Sequence, residues 1–193
     1  MIRIVLFLLF LSALPFGLAA EERVPSDLKR VTPAEMYAKW GKHSPREVVA
    51  HAKKALAHIA EQGKGGLAAF NYDGDRSWWP NRPYFTPVIV MRCDELRDVT
   101  HPVESFHKFV TTPGIFRKYA DKRGKNTFLD LCRRLPDHPE GLWVRQFALW
   151  PGVKEPVWMG VLAIQVPDTP YQLHLFYVTD KWSEKALNAL LNR

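Results

Sequence analysis

Residues 141–180 read GLWVRQFALWPGVKEPVWMGVLAIQVPDTPYQLHLFYVTD, and this stretch decides the fold. It contains three β-runs, LWVRQFALW, VWMGVLAIQV and YQLHLFYV, each rich in β-branched and aromatic residues. Turn chemistry separates them, with Pro151-Gly152 after the first and Pro167-Asp168-Thr169-Pro170 after the second. Alternation closed by short turns predicts an antiparallel meander. The upstream residues carry helical spacing, so the expected class is α+β, with helices packed on an antiparallel sheet. Helices followed by a meander suit a ligand-sensing domain. No signal of similar strength points to catalysis: G-x-S-x-G, the P-loop, G-x-G-x-x-G and H-E-x-x-H are all missing.

The first residues set the compartment. Met1-Ile2-Arg3 is a short positive start, Ile4 to Leu18 is an apolar run broken by Pro15 and Gly17, and Gly17-Leu18-Ala19-Ala20 offers small residues for cleavage. Residues 1–20 therefore read as a signal peptide rather than an uncleaved anchor, because the run is shorter than the roughly 20 apolar residues of a spanning helix. No later run approaches a stable membrane span, and a periplasmic or secreted protein is expected. Residues 21–43 form a polar lead-in with a short helix, and residues 44–193 form one domain. In an oxidising compartment the two cysteines, Cys93 and Cys132, favour a disulfide over two buried thiols. C-x-x-C and C-x-x-C-H are absent, so neither a catalytic dithiol nor covalently attached haem is expected, and no cofactor is implied. The net charge of +7 comes from Lys and Arg scattered among acids. A nucleic-acid partner would require one basic stripe, so none is expected.

Local signals place the helices. Thr32-Pro33-Ala34-Glu35 and Ser44-Pro45-Arg46-Glu47 are capping boxes with Pro at the first helical position. The first predicts a helix to about Trp40, stopped at Gly41. The second opens a run in which Val48, Ala52, Ala55 and Ile59 recur at helical spacing, ending before Gly63. Asn71 to Pro87 is loop-like and Thr86 to Cys93 is a strand, whereas Thr100 to Thr112 is ambiguous. Asn126 caps a helix reaching Leu135, and Asp180 is expected to cap a last helix carrying Leu187 and Leu191.

Candidate site residues follow from side-chain chemistry. Trp143, Trp158 and Tyr171 are bulky aromatics on the meander, serving either as a wall that stacks a small molecule or as ordinary sheet packing. Arg145 lies two residues beyond Trp143 and shares its sheet face. It either clamps a carboxylate or projects into solvent. Arg92, inside an apolar strand, is a milder instance. His174, between Leu173 and Leu175, reads as structural. His101 and His107 with Asp98 and Glu104 match no recognised zinc spacing. The Trp78-Trp79-Pro80 loop, with Tyr84 and Phe85, either caps a pocket, forms a partner surface or folds onto the core. No catalytic residue is assigned.

The order of these stretches resembles the single Cache domain family, extracytoplasmic PAS-like sensors. VVAHAKKALAHIAEQGKGGLAAFN is similar to that family's first long helix and the turn after it, and TPVIVMRCDELRDVTHPV to its first strand and following turn, ending in His101-Pro102. DKRGKNTFLDL resembles an Asp-x-x-Gly-Lys-x-x-Phe segment through Asp121, Gly124, Lys125 and Phe128. GLWVRQFALWPG resembles a Gly-Trp-Val strand with its Pro turn, and QVPDTPYQLHLFYV a Val-Pro-Gly-Thr hairpin with its final strand. The resemblance implies a five-stranded antiparallel sheet with a long N-terminal helix and a pocket on the opposite face. It also implies that a small organic molecule is sensed and the signal passed on, here by an exported module to a membrane receptor or another exported protein. An accessory protein-interaction module, and last an exported hydrolase, are the alternatives. Three departures stand out: Asp94-Glu95-Leu96-Arg97 lacks the usual Gly, Gln146 stands where a Tyr is common, and Val157-Trp158-Met159 replaces a Lys before the next strand. Losing these polar anchors turns the expectation from an acid ligand toward a more aromatic pocket, or no ligand.

Overall fold

Both capping boxes form as the sequence dictates. In the computed structural model, which describes residues 30–191 without the side chains of Ser105 and Lys108, Thr32 caps helix α1 (Pro33–Trp40) and Ser44 caps the long helix α2 (Pro45–Gln62). In each, the cap hydroxyl accepts from the N3 backbone N–H while the N3 glutamate reaches back to the cap, so two otherwise unpaired donors are met. The expected signal peptide and residues 21–29 of the lead-in lie outside the described residues. A 3-10 segment, Gly63–Phe70, carries the chain from α2 to the Trp-rich loop.

The sheet has five antiparallel strands: β1 (Ile89–Arg92), β2 (Arg97–Thr100), β3 (Leu142–Ala148), β4 (Val157–Gln165) and β5 (Tyr171–Val178). Their order is β2-β1-β5-β4-β3, so the predicted meander supplies three of the five. Between β2 and β3 lie helices α3 (Glu104–Val110) and α4 (Thr127–Arg134), with Asn126 as the predicted cap of α4. The chain closes with α5 (Glu184–Asn188).

Three expectations need correction. The first strand begins at Ile89 rather than Thr86, because the Thr86 hydroxyl accepts the Phe176 N–H in place of a backbone ladder bond. The ambiguous stretch Thr100 to Thr112 opens on the last residue of β2 and then forms α3, while β2 itself begins at Arg97. Ser183, not Asp180, caps the last helix, its Oγ accepting from Ala186.

The two sheet faces have different covers. Leu173, Leu175 and Tyr177 share the face that receives α1 and α2, where Val48, Ala52 and Ala55 are fully buried. Trp40 stacks on Phe85 and meets Tyr177 and Trp150 edge-on, closing that core at one end. On the other side, a second cluster of Met91, Leu96, Val110, Phe116 and Phe128 forms beneath α3 and α4. The Cys93–Cys132 disulfide joins the β1–β2 turn to α4 across that cluster. Among the described residues, no helix is long and apolar enough to cross a membrane.

Helix α5 seals the free edge of β3. The Asn188 side chain donates to the Trp143 carbonyl and accepts its N–H, at 2.8 and 2.9 Å, and Glu184 accepts the Arg145 N–H. The open edge thereby acquires partners without another strand. Close approach requires Gly160, where a Cβ would lie 2.7 Å from Leu187 and 2.9 Å from the Trp143 ring.

Two outcomes test this packing. Gly160→Ala should lower stability by about 1–3 kcal/mol in urea unfolding, because Trp143 is fully enclosed and cannot retreat. Reducing the disulfide, whose cysteines are 39 residues apart, should cost about 4 kcal/mol by loop entropy, measured as the shift in urea midpoint with and without reductant. An unchanged midpoint would contradict its role in holding α4.

Candidate functional site

A cavity of about 320 Å³ lies between the sheet and the α3–α4 layer, on the face opposite α2. Its floor is set by strand parity. Gln146 and Ala148 of β3, Met159 of β4, His174 and Phe176 of β5, and Ile89 of β1 all point into it. Phe106, Phe109 and Val110 of α3, with Phe116, Tyr119 and Phe128, form the roof. Trp79 and Trp150 close the side, anchored by indole N–H bonds to the carbonyls of Phe85 and Pro83. The size falls at the lower end of small-molecule pockets, about 300–1,000 Å³, and the apolar lining with few polar groups is typical of them.

The polar groups in this lining are unusual. Asp98 on β2 is 4 % exposed, and its Oδ1 has no hydrogen-bond partner among the described residues. Burial holds its carboxyl well above the ordinary carboxylate range. His174 is fully buried and stacks parallel to Phe128 at 5.9 Å, with Nε2 3.3 Å from Gln172 Oε1 and Nδ1 unpartnered among the described residues. Burial pushes this imidazole down to about 3 and that of His101 down to about 4, so both rings are neutral near pH 7. The Tyr119 hydroxyl, raised by burial, donates to Gln146 Oε1 at 3.4 Å.

Asp121 also borders the cavity but is fully engaged. Burial opposes its ionisation, yet backbone N–H groups of Phe147, Lys125 and Arg123 hold it below the ordinary range. Among the described residues, no group of three His, Cys, Asp or Glu is placed to hold a metal ion.

The residues singled out in the sequence lie elsewhere. Trp143 and Arg145 do share a face, but it is the face away from the cavity, beneath α5 and the segment leading to it. The Arg145 guanidinium donates to the carbonyls of Thr179 and Trp182 and lies 4.7 Å over the Trp158 ring, which Arg123 also covers at 4.4 Å. These three residues therefore form a seat for the C-terminal segment. Tyr171 and Arg92 are cross-strand neighbours at the far end of β5, where Arg92 pairs with Asp94 and Glu95. None of the five lines the cavity.

The residues that do line it carried weak signals. Gln146 stands out in the sequence only as a departure from the family pattern. His174, between two leucines, reads as structural, and Asp98 and His101 enter only through a set that matches no zinc spacing. The aromatic loop is divided: Trp78 folds onto α2, between His51 and His58, whereas Trp79 forms part of the cavity wall.

The effect of pH follows from the direction of each shift. Asp98 is raised in the folded state, so its contribution falls as pH rises above the unfolded carboxyl value of about 3.9. His101 and His174 are depressed, so theirs is lost as pH drops from about 6.5 toward their folded values. Asp98→Asn removes the first effect alone. In calorimetry it should raise the Tm of the ligand-free protein at pH 7, by roughly 2–4 °C for each kcal/mol gained, and by less at pH 4. An equal or opposite change at both pH values would show that this carboxyl is not buried.

No protein-family model and no curated protein matches the chain. Solved structures do. A structure described as the periplasmic sensor domain of a chemotaxis protein aligns with a TM-score of 0.50 at 21% identity, covering 76% of this chain and 97% of that one. A methyl-accepting chemotaxis protein from Vibrio parahaemolyticus RIMD 2210633 aligns at 0.48 with 10% identity, over 70% and 88% of the two chains. A Cache chemosensory domain, described with carboxylic acid recognition, aligns at 0.44 with 12% identity over the same shares. The chain thus shares the fold of that periplasmic sensor domain, with five antiparallel strands and helices packed on the sheet.

Proposed function

We propose that the chain is an exported sensory module that admits a small organic molecule into the cavity under α3 and α4 and passes its bound state to a membrane receptor or another exported protein. One observation carries this reading. The cavity combines an apolar wall with a buried carboxyl and a buried imidazole that each retain an unmet atom. Protein interiors rarely leave such space or such groups unfilled, because each unpartnered buried polar atom costs about 1–3 kcal/mol. A ligand that meets them recovers this cost on binding. Asp98, His174, Tyr119 and Gln146 are the proposed contacts, in place of Trp143, Arg145, Trp158, Tyr171 and Arg92.

Export is supported by the signal-like start and by the disulfide. The chain is read as a binding module rather than an enzyme. The alternative of an interaction module without ligand drew on the Trp78-Trp79 loop as a contact surface, but both indoles are buried.

A thermal-shift screen of polar metabolites and small aromatics tests the proposal. A compound at one hundred times its Kd should add about 2.7 kcal/mol, a shift of several degrees. The shift should disappear in Ala148→Trp, which fills the floor, while circular dichroism shows the fold retained. A well-folded protein that no compound stabilises would overturn the reading.

A further inference from the structure

Resting on the cavity as the ligand site, we propose that its ligand is an organic ammonium ion with an apolar body, its charge received by the Asp98 carboxylate. The inventory of unmet groups selects this class. The His174 Nε2 faces Gln172 Oε1, an acceptor, so Nε2 carries the proton and Nδ1 of the neutral ring is a bare acceptor. Asp98 Oδ1 is likewise unmet. Several donors and acceptors nearby are already used. Tyr119 donates to Gln146, Gln146 donates to the Met159 sulfur, His101 Nδ1 contacts the backbone of Val103, and Asp121 is engaged by three backbone N–H groups.

A carboxylate would find the proton of the Asp98 carboxyl as a donor, but it would set a second acidic group beside it and against the π-faces of the aromatic rings. An alcohol brings one donor and no charge. An ammonium brings up to three donors together with the countercharge that makes an ionised Asp98 tolerable in an apolar surround. As it arrives, the Asp98 proton leaves for bulk water. The rings of Phe106, Phe109, Phe116 and Phe128 offer π-faces to the same charge.

Repulsion does not cancel this. His101 and His174 are neutral. The basic residues bordering the cavity, Arg30, Lys122 and Lys154, gather at the β3 edge through the Val31–Gly152 and Lys122–Phe147 contacts. That edge is four strand spacings from β2, roughly 19 Å, so these cations lie at the opposite end of the cavity from Asp98.

The test is titration calorimetry on the full chain at pH 7 with phenethylamine, cyclohexylamine and hexylamine, each beside its isosteric carboxylic acid and alcohol. At least one amine should bind tenfold or more tightly than its acid and alcohol, and Asp98→Asn should weaken that amine at least tenfold. Ala148→Trp should abolish its binding. If an acid or alcohol binds as tightly, or Asp98→Asn leaves the amine unaffected, the ammonium assignment is overturned. Loss of that binding in Ala148→Trp would still keep the cavity as the ligand site. If no amine binds, the assignment is overturned as well, and the metabolite screen decides the cavity reading by itself.

Discussion

Register between β4 and β5 sets which side chains face the cavity. Val161 opposes Phe176 and Leu162 opposes Leu175, so odd positions of β4 and even positions of β5 share one face. Carried outward, this parity fixes Ile89 through His174 and Gln146 through Met159. A slip of one residue would turn His174 and Gln146 toward α2 and bring leucines into the cavity. The two hairpin turns guard against such a slip. Gln165 and Thr169 tie the β4–β5 turn by side-chain bonds to its backbone, and Val31 joins Val153 in a short parallel bridge beside the β3–β4 turn.

The same parity divides the molecule into a packed side and a side with room. Under α1 and α2, alanines and branched side chains let the long helix lie close, and large aromatics fill its end. Above the opposite face, α3 is only seven residues long and 3-10 turns flank the layer, so the roof is assembled from single aromatic rings. Rings projecting from short elements bridge the gap without filling it. The disulfide then holds this roof to the β1–β2 turn, where helix packing alone would be thin.

Signals confined to a few residues were legible in the sequence. The caps at Thr32, Ser44 and Asn126, the stop at Gly63 and the three meander strands all depend on neighbours in the chain. The pairing of Trp143 with Arg145 on one face was also readable, since alternation is local. Which face opens onto the cavity was not. It depends on α5, whose Asn188 binds the backbone of Trp143 from 45 residues away. Strand β2 was missed for a related reason. Arg97-Asp98-Val99-Thr100 turns a carboxylate inward, the reverse of the apolar-in rule, and such reversals arise where a site overrides the core pattern. Asp180 and Ser183 were equivalent as caps by residue type, and the contacts of Arg145 with the intervening segment decided between them.

A buried carboxyl and an unmet imidazole nitrogen weaken the fold, and their position determines where that weakness is felt. Asp98 lies on the edge strand, hydrogen-bonded to the sheet on one side, next to the turn that carries Cys93. His174 lies in the middle of the sheet, under Phe128 of α4. The strain of leaving both unmet therefore falls on the roof and the β1–β2 turn, not on the α2 core. A guest held at Asp98 would bear on the edge strand and the disulfide-linked roof rather than on the packed side. Because differential binding to two states is what converts occupancy into a signal, the layer under α3 and α4 is the surface whose order should change with the guest.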